Sequence, residues 1–544
     1  MMLYIMATFI APSFSATPID LHHHSTALLK KIPSDVQLQL LFKNIDARRV
    51  AHLHVQQMYS GIPVWGATAV IHIPQAEVKA NLFANLSGRN QANGILYDHL
   101  AKELGMYSQP IFTQQQRAKI VNIAKEIFQT KTKLSQSVSY QEESAIPVIY
   151  IDKNQSAHYA FLVSFLVDDN QTGAHRPTMI IDAINSYVYY QRDQVKHLQG
   201  NPMPLELVSA AGIGGNQKTG AIIYDDLKDH LSSVTLYRSS EDGVGMLCHL
   251  INENVTIKDV AYDSATPTQP CPINGEHNGL SWLDSDENNT RWKDDEANGG
   301  YSPSLDALYS ASITHQMYYD WYGIPVLMQK DRKTPMQIML RVHYGRHYEN
   351  AYWDDNEVTL GDGGDMLYPL PALDIIAHEI SHGFTEQNAG IFDRTEDNLQ
   401  MSALDESFAD MASQAAQFYV SGKNNWMIGS SVTKTMPAMR YMDDPKKDGS
   451  SLDNFKDLNS SIKDPHLAAG IVNKAFYLIA TSPNWNIRKA FDVMVEANRY
   501  YWTSSMTTFS EAACGVLSAT QSLQYNVQDV KNAFVNVGID VSKC

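Results

Sequence analysis

Cysteine is scarce in this chain: four residues among 544, at Cys248, Cys271, Cys514 and Cys544. No two of them form a C-x-x-C pair, which argues against a thiolate zinc site. Positive charge is short as well. Lys and Arg total 42 against 59 Asp and Glu, for a net charge of −17, and this argues against nucleic acid or an anionic membrane surface as the main partner. Long apolar runs are also missing. Residues 2–11 are apolar but too few to span a bilayer. Followed by Pro12 and small residues, they read as the h-region of a secretory signal peptide cut after Ser15 or Ala16, although the usual basic lead is absent. There is no internal repeat and no low-complexity tract.

What is present is a globular, well-cored composition, 44% hydrophobic and 19% charged, over a length that suits three or four units. Residues 17–207 read as an accessory region in two parts, about 17–105 and 106–200. Alternating residues mark strands at Arg49–Tyr59 and Ala67–Ile73, with a turn at Gly61–Gly66. A helix is expected over Arg117–Phe128, then strands at Pro147–Ile151, Tyr159–Val163 and Met179–Asp182. His22–His24 reads as a solvated tract. Small, Gly-rich residues at Leu207–Asn216 suit an exposed, cleavable linker. Residues 208–373 are rich in strand and turn signals, and 374–544 are mainly helical. Helices are expected over Ala468–Ala480, Ile487–Trp502, Phe509–Leu523 and Val527–Val537, the last capped by Asn526 and stopped by Gly538. In a secreted chain an even cysteine count implies disulfides. Three connectivities are open, of which the sequence-local pairing Cys248–Cys271 and Cys514–Cys544 is preferred.

The chemistry concentrates at Asp374-Ile-Ile-Ala-His378-Glu379-Ile-Ser-His382. His378 and His382 are four apart, so on a helix they share one face and can share one metal ion, with Glu379 beside them to reach a bound water. On the following helical stretch Glu406 and Asp410 repeat the spacing. Glu406 would complete the three protein ligands of a catalytic zinc, and Asp410 is placed to take the N–H of a ligand imidazole. The bland alternative is two amphipathic helices with polar residues facing solvent. Asp464-Pro465-His466 puts a carboxylate two residues from an imidazole, a pairing that favours the protonated ring as an oxyanion donor; a plain surface His is the alternative. Arg440 could hold a substrate carbonyl through two parallel N–H bonds, or form a surface ion pair. Asn350-Ala351-Tyr352-Trp353 offers an amide and an aromatic platform to a peptide, or is an ordinary turn with a core Trp.

From Val208 to Cys544 these motifs in combination resemble the thermolysin family of secreted zinc metalloproteases, with the pseudolysin-like and vibriolysin-like enzymes nearest. Asn350–Trp353, Gly361-Asp362-Gly363, His378–Asn388, Glu406–Asp410, Arg440-Tyr441-Met442 and His466–Tyr477 carry the likeness. The resemblance implies an α+β fold: a two-lobed catalytic domain, β-rich then α-helical, preceded by an inhibitory, fold-assisting α+β propeptide at 17–207. It implies one zinc held by His378, His382 and Glu406, Glu379 as general base, and His466 oriented by Asp464 for the tetrahedral intermediate. Arg440, Asn350, Ala351 and Trp353 would bind the peptide. Leu370, Ile375, Ile428 and Met439 would line an apolar pocket for the side chain after the scissile bond. Partners would be protein and peptide substrates and the chain's own propeptide, acting on a secreted monomer that binds no nucleic acid.

Three departures from the family stand out. The loop Phe392–Gln400 carries an insertion, and the place of the family's oxyanion Tyr holds Phe392 or Asp393. Asp405 stands where Asn is usual and is placed to bond His382. Calcium-binding carboxylates are replaced by Gln414, Gln417 and Asn425, leaving Asp374, so the usual calcium site should be weakened or lost. A secreted metal-containing binding or adhesion protein without turnover, and a metallo-hydrolase of another bond such as an ester, are the competing readings. The open fourth zinc position and Glu379 count against the first of these.

Overall fold

The computed structural model describes residues 16–21, 36–46, 49–79, 91–105, 112–132, 139–169, 173–175, 177–193, 206–228, 230–241, 245–260, 266, 268–270, 298–329, 332, 334–345, 347–354, 356–391, 398–504, 506 and 508–544. The expected signal segment up to Ser15, the tract His22–His24, Cys271 and Phe392–Asp397 lie outside them. The chain forms two compact units, Met1–Lys196 and His197–Cys544.

The first unit is built on a sheet of ten strands among the described residues. Its path runs Thr17–Asp20, Gln91–Asp98, Ile62–Pro74, Ser139–Ile151, Ala157–Asp169, Pro177–Asp182, Val188–Asp193, with Val36–Ile45 and Val50–Tyr59 branching from Ile62–Pro74. The two expected parts meet in this one sheet, where Val64 pairs with Ile149. The turn is tighter than Gly61–Gly66 suggests: it is made at Ser60–Gly61, both with positive φ, and the returning strand already begins at Ile62. A short helix α1 (Leu100–Leu104) precedes α2 (Gln114–Thr132), whose Ile120, Val121, Ala124 and Phe128 pack on Phe161, Val163 and Phe165 of the sheet.

In the second unit the stretch read as a linker is folded. Glu206–Ala210 pairs antiparallel with Val234–Glu241, and Gly212–Asn216 forms a hairpin with Gly220–Tyr224. The glycines serve a close approach: a Cβ on Gly214 would fall 1.9 Å from Asp306 Oδ1. A mixed sheet follows, with Val255–Asp259, Ile338–Tyr344 and Glu357–Gly361 parallel and Ala351–Trp353 antiparallel at one edge. This strand-rich half also holds a helix that residue patterning did not reveal, α3 (Pro303–Tyr322).

The helical half follows as α4 (Leu373–Ala389), α5 (Leu399–Ser421), α6 (Pro465–Ala480), α7 (Ile487–Tyr500), α8 (Phe509–Ser522) and α9 (Val527–Asn536). Helix α4 is buried on most sides and stops where Gly390 enters the left-handed region at φ 66°. It is set by aromatic packing. Phe384 stacks on Phe408 of α5 (5.7 Å), Phe408 on Phe491 of α7 (5.5 Å), and Tyr318 of α3 lies 4.8 Å from Phe384. One continuous apolar core joins the strand-rich half to the helices. Cys514 and Cys544 are bridged across 30 residues, which fastens the C-terminus to α8 and on a loop-entropy basis contributes about 3–4 kcal/mol. Cys248 is buried in Gly245–His249. No helix among the described residues is long and apolar enough to cross a membrane.

Candidate active site

Helices α4 and α5 bring the chemistry together because both run through the core with their four-residue spacings facing each other. His378 Nε2 and His382 Nε2 stand 3.1 Å apart, and Glu406 Oε2 lies 3.2 Å from the first and 3.8 Å from the second. Among the described residues these three form the one group with metal-ligand spacing.

The protons on the two rings are assigned by their far sides. His382 Nδ1 lies 2.9 Å from Asp405 Oδ2, and His378 Nδ1 lies 2.9 Å from Asp410 Oδ1. A carboxylate only accepts, so Nδ1 is the end of each ring that faces a partner for its hydrogen, and a neutral ring then turns its Nε2 lone pair to the centre. Burial disfavours the charged rings, but the surrounding carboxylates raise the proton affinity of both, so the centre attracts positive charge. Two lone pairs facing at this distance repel. Glu406 Oε2 adds a third acceptor, buried and without a hydrogen-bond donor among the described residues. Three ligand atoms converging at this spacing fit a cation, and two imidazoles with one carboxylate fit zinc.

Around this centre the polar groups are fixed. Asp410, fully buried, takes Arg440 Nε (3.0 Å) and Nη2 (2.6 Å) and Asn473 Nδ2 (2.8 Å). Ser407 donates to Asn473 Oδ1 at 2.7 Å. Burial by itself would raise the Asp410 carboxyl, but Arg440 and His378 hold it far below the usual range. The same opposition, burial against His382, His378 and His466, keeps Glu406 ionised. Burial pushes the carboxyl of Glu379 up, against the pull of His378 and His382, so it is a better proton acceptor than a solvated Glu. His466 is partly exposed at the start of α6. Its Nδ1 is 2.9 Å from Asp464, the helix's N-cap, and its Nε2 is 3.2 Å from Glu406 Oε2.

Not every expected residue is where the sequence reading put it. The two parallel N–H bonds of Arg440 go to Asp410 and not to a ligand, because a buried carboxylate flanking a histidine needs a fixed countercharge. Trp353 is no open platform. It is 8% exposed, its indole N–H donates to Glu386 Oε2 (3.1 Å), and a Cβ on Gly383 would sit 2.7 Å from its ring, so it buttresses α4. Asn350 is exposed and its carbonyl accepts from Gly361 N (3.1 Å); Ala351 opens the edge strand. Leu370, Ile375 and Ile428 are buried, and Met439, half-buried, bonds Ile428 O through its backbone N–H (2.9 Å). Asn473 and Ser407 were missed. Their signal was available in register: Asn473 lies two turns after His466 on α6, and Ser407 directly follows Glu406.

At the N-terminal end of α4, Asp374, Gln414 and Asn425, expected around a weakened calcium site, bond backbone and side-chain groups of residues 424–430. Gln414 Nε2 donates to Met427 O (2.9 Å), while its Oε1 accepts from Asn424 Nδ2 (2.9 Å) and Trp426 N (3.0 Å). Asn425 bonds Met427 N and Ser430 Oγ. Asp374 Oδ2 accepts from Gly429 N at 2.8 Å. Asp374, Gln417 and Asn425 share the wall of a cavity of about 300 Å³ behind the first turn of α4.

Comparison with known proteins agrees with this geometry. Residues 233–386 match the thermolysin metallopeptidase catalytic domain, 398–539 match the thermolysin metallopeptidase alpha-helical domain, and 38–80 match the fungalysin/thermolysin propeptide motif. The chain is 38% identical to the zinc metalloproteinase MspA of Legionella longbeachae, covering 98% of this chain and 96% of that one. It is 37% identical to the zinc metalloproteinase of Legionella pneumophila (94% and 90%) and 32% identical to the neutral protease of Vibrio proteolyticus (90% and 71%). With both thermolysin metallopeptidase domains and the propeptide motif matched in order, and a relative 38% identical over nearly its whole length, the chain belongs to the thermolysin family of zinc metallopeptidases.

Proposed function

We propose that the chain is a secreted endopeptidase made as a zymogen, with His378, His382 and Glu406 as zinc ligands and Glu379 as general base. The observation that carries this is the convergence of His378 Nε2, His382 Nε2 and Glu406 Oε2 at metal-ligand spacing, with Asp410 and Asp405 each 2.9 Å from the far nitrogen of one ring. When bound there, zinc supplies Lewis acidity toward a carbonyl oxygen and makes its water acidic. Glu379 accepts the proton of the attacking water and returns it to the departing amine nitrogen. Its raised proton affinity suits both halves of that task. His466, held by Asp464, donates from Nε2 to the developing oxyanion. Arg440 keeps Asp410 ionised and in place, and its remaining N–H groups face the peptide. Leu370, Ile375, Ile428 and Met439 favour a bulky hydrophobic residue after the scissile bond.

The propeptide, residues 17–207, is the inhibitor of the same chain. Calcium is not part of the proposed machinery, since amides stand where carboxylates would gather it, and those of Gln414 and Asn425 are engaged with neighbouring groups. Asp405, in bonding His382, adds negative charge behind the zinc and makes the ring a stronger donor.

Intact mass, zinc content and casein cleavage, measured together on secreted wild type and Glu379→Gln, test the reading. The variant should keep one zinc, remain unprocessed, and lose activity by about 10³–10⁴-fold. A Glu379→Gln protein that still cleaves casein at the wild-type rate sinks the assignment of the base.

A further inference from the structure

Away from the zinc cluster, Lys218 commits its charge to a single loop. It sits in the turn between Gly212–Asn216 and Gly220–Tyr224. Its Nζ lies 2.8 Å from Thr433 O, 2.7 Å from Thr433 Oγ1 and 3.0 Å from Met436 O. An ammonium has three protons to give, and here three oxygens take them, none belonging to a carboxylate. Thr433 Oγ1 passes its own proton to Met436 O (2.7 Å), so the acceptors are tied to one another. From the same hairpin Asn216 Nδ2 donates to Ser431 O at 3.0 Å.

The loop so gripped joins Met427–Ile428 to Arg440–Tyr441, in which Ile428 pairs with Arg440. Its start is held by Asp374 through Gly429 N, and Lys434 Nζ donates to Gly364 O at 2.7 Å. Both ends of the loop therefore carry residues assigned to substrate, while its middle is fastened to a hairpin from the other end of the unit. Carbonyl and hydroxyl oxygens converging on one positive centre form the donor set that a hard cation prefers. In this chain the cation is covalently attached.

We infer that Lys218 is a positioning residue for substrate: a tethered cation that shapes the loop between Ile428 and Arg440 and so sets the fit of the residue after the scissile bond. The inference rests on the proposed assignment of Ile428, Met439 and Arg440 to substrate. It requires no contact between Lys218 and the peptide.

The test uses mature, zinc-loaded enzyme and a peptide series with Leu, Phe or Ala after the scissile bond. Lys218→Ala should raise KM for the Leu and Phe peptides about 5- to 20-fold, as expected for losing charge-assisted hydrogen bonds, with kcat within about 2-fold. Zinc content should not change, and the preference for Leu over Ala should shrink. Propylammonium, the fragment removed, should restore much of the KM, and propanol should not; simple loss of packing would not discriminate between the two. Lys218→Met, which keeps the stem, should behave like Lys218→Ala. Unchanged kinetics in both variants, activity loss that tracks zinc loss, or recovery of Lys218→Met to wild type would each overturn the inference. Met439→Ala on the same peptides separates the two layers. If it leaves the Leu preference untouched, the pocket assignment fails; if it shifts the preference while Lys218→Ala does not, the tether fails.

Discussion

Two polar clusters flank helix α4, and their difference shows how a metal site is told from a hydrogen-bond network. At His378, His382 and Glu406, Asp410 and Asp405 stand behind the rings, and two Nε2 atoms and one carboxylate oxygen converge in front. At Asp374, Gln414 and Asn425, each side chain is instead bonded to backbone or neighbouring side-chain groups. Amides and their neighbours there match donors to acceptors, whereas the imidazole–carboxylate set offers three ligand atoms to one ion.

The contrast is most sharply broken at its centre. His382→Ala removes one of the three acceptors, and the expected outcome is loss of stoichiometric zinc by elemental analysis together with loss of all measurable peptidase activity. Next in size is Asp410→Asn. It leaves Arg440 without its partner and weakens the hold on His378, so zinc affinity measured by chelator competition should fall about 10–100-fold. On the other side, Gln414→Ala strips partners from Met427 O, Asn424 and Trp426 N at a fully buried position. It should cost roughly 2–4 kcal/mol in denaturant unfolding while leaving zinc content intact. The smallest effect is a null result. Calcium titrated into metal-stripped, zinc-reloaded wild type should give no submicromolar binding, whereas Gln417→Glu with Asn425→Asp, beside Asp374 on the same cavity wall, should create measurable affinity. Tight calcium binding by wild type would collapse the distinction between the clusters.

Much of the helical half was legible because its signals are local and periodic. His378 and His382, Glu406 and Asp410 declare themselves by spacing alone, and Asn526 and Gly538 bracket the last helix as the structure has it, whereas α6 starts at Pro465, three residues before the expected Ala468. The strand-rich half was harder to read, for identifiable reasons. Helix α3 begins with Pro303 and ends at Gly323, both proper signals, but its buried residues run around most of its surface and leave no apolar stripe to count. Leu207–Asn216 looked loose because glycine suggests freedom, yet Asp306 comes too close to Gly214 for any side chain, and Gly215 has a positive φ with Gly220 O pressed against it. For Arg440 and Trp353 the residue types left two readings open, a substrate contact or a bond within the protein, and the structure gives each a partner within the protein. Residue type reports what a group can bond, and only the fold decides whether Asp410 or Glu386 claims it first.

The folding of Glu206–Ala210 also bears on activation. A peptidase reads unpaired, extended backbone, and this segment is paired along its length with Val234–Glu241 at the edge of its sheet. If maturation cuts at the proposed boundary between residues 207 and 208, that cut has to wait until the strand peels away. Its tempo would then follow how often that edge opens, and the zymogen would carry its own delay in the ladder of hydrogen bonds made by Glu206–Ala210.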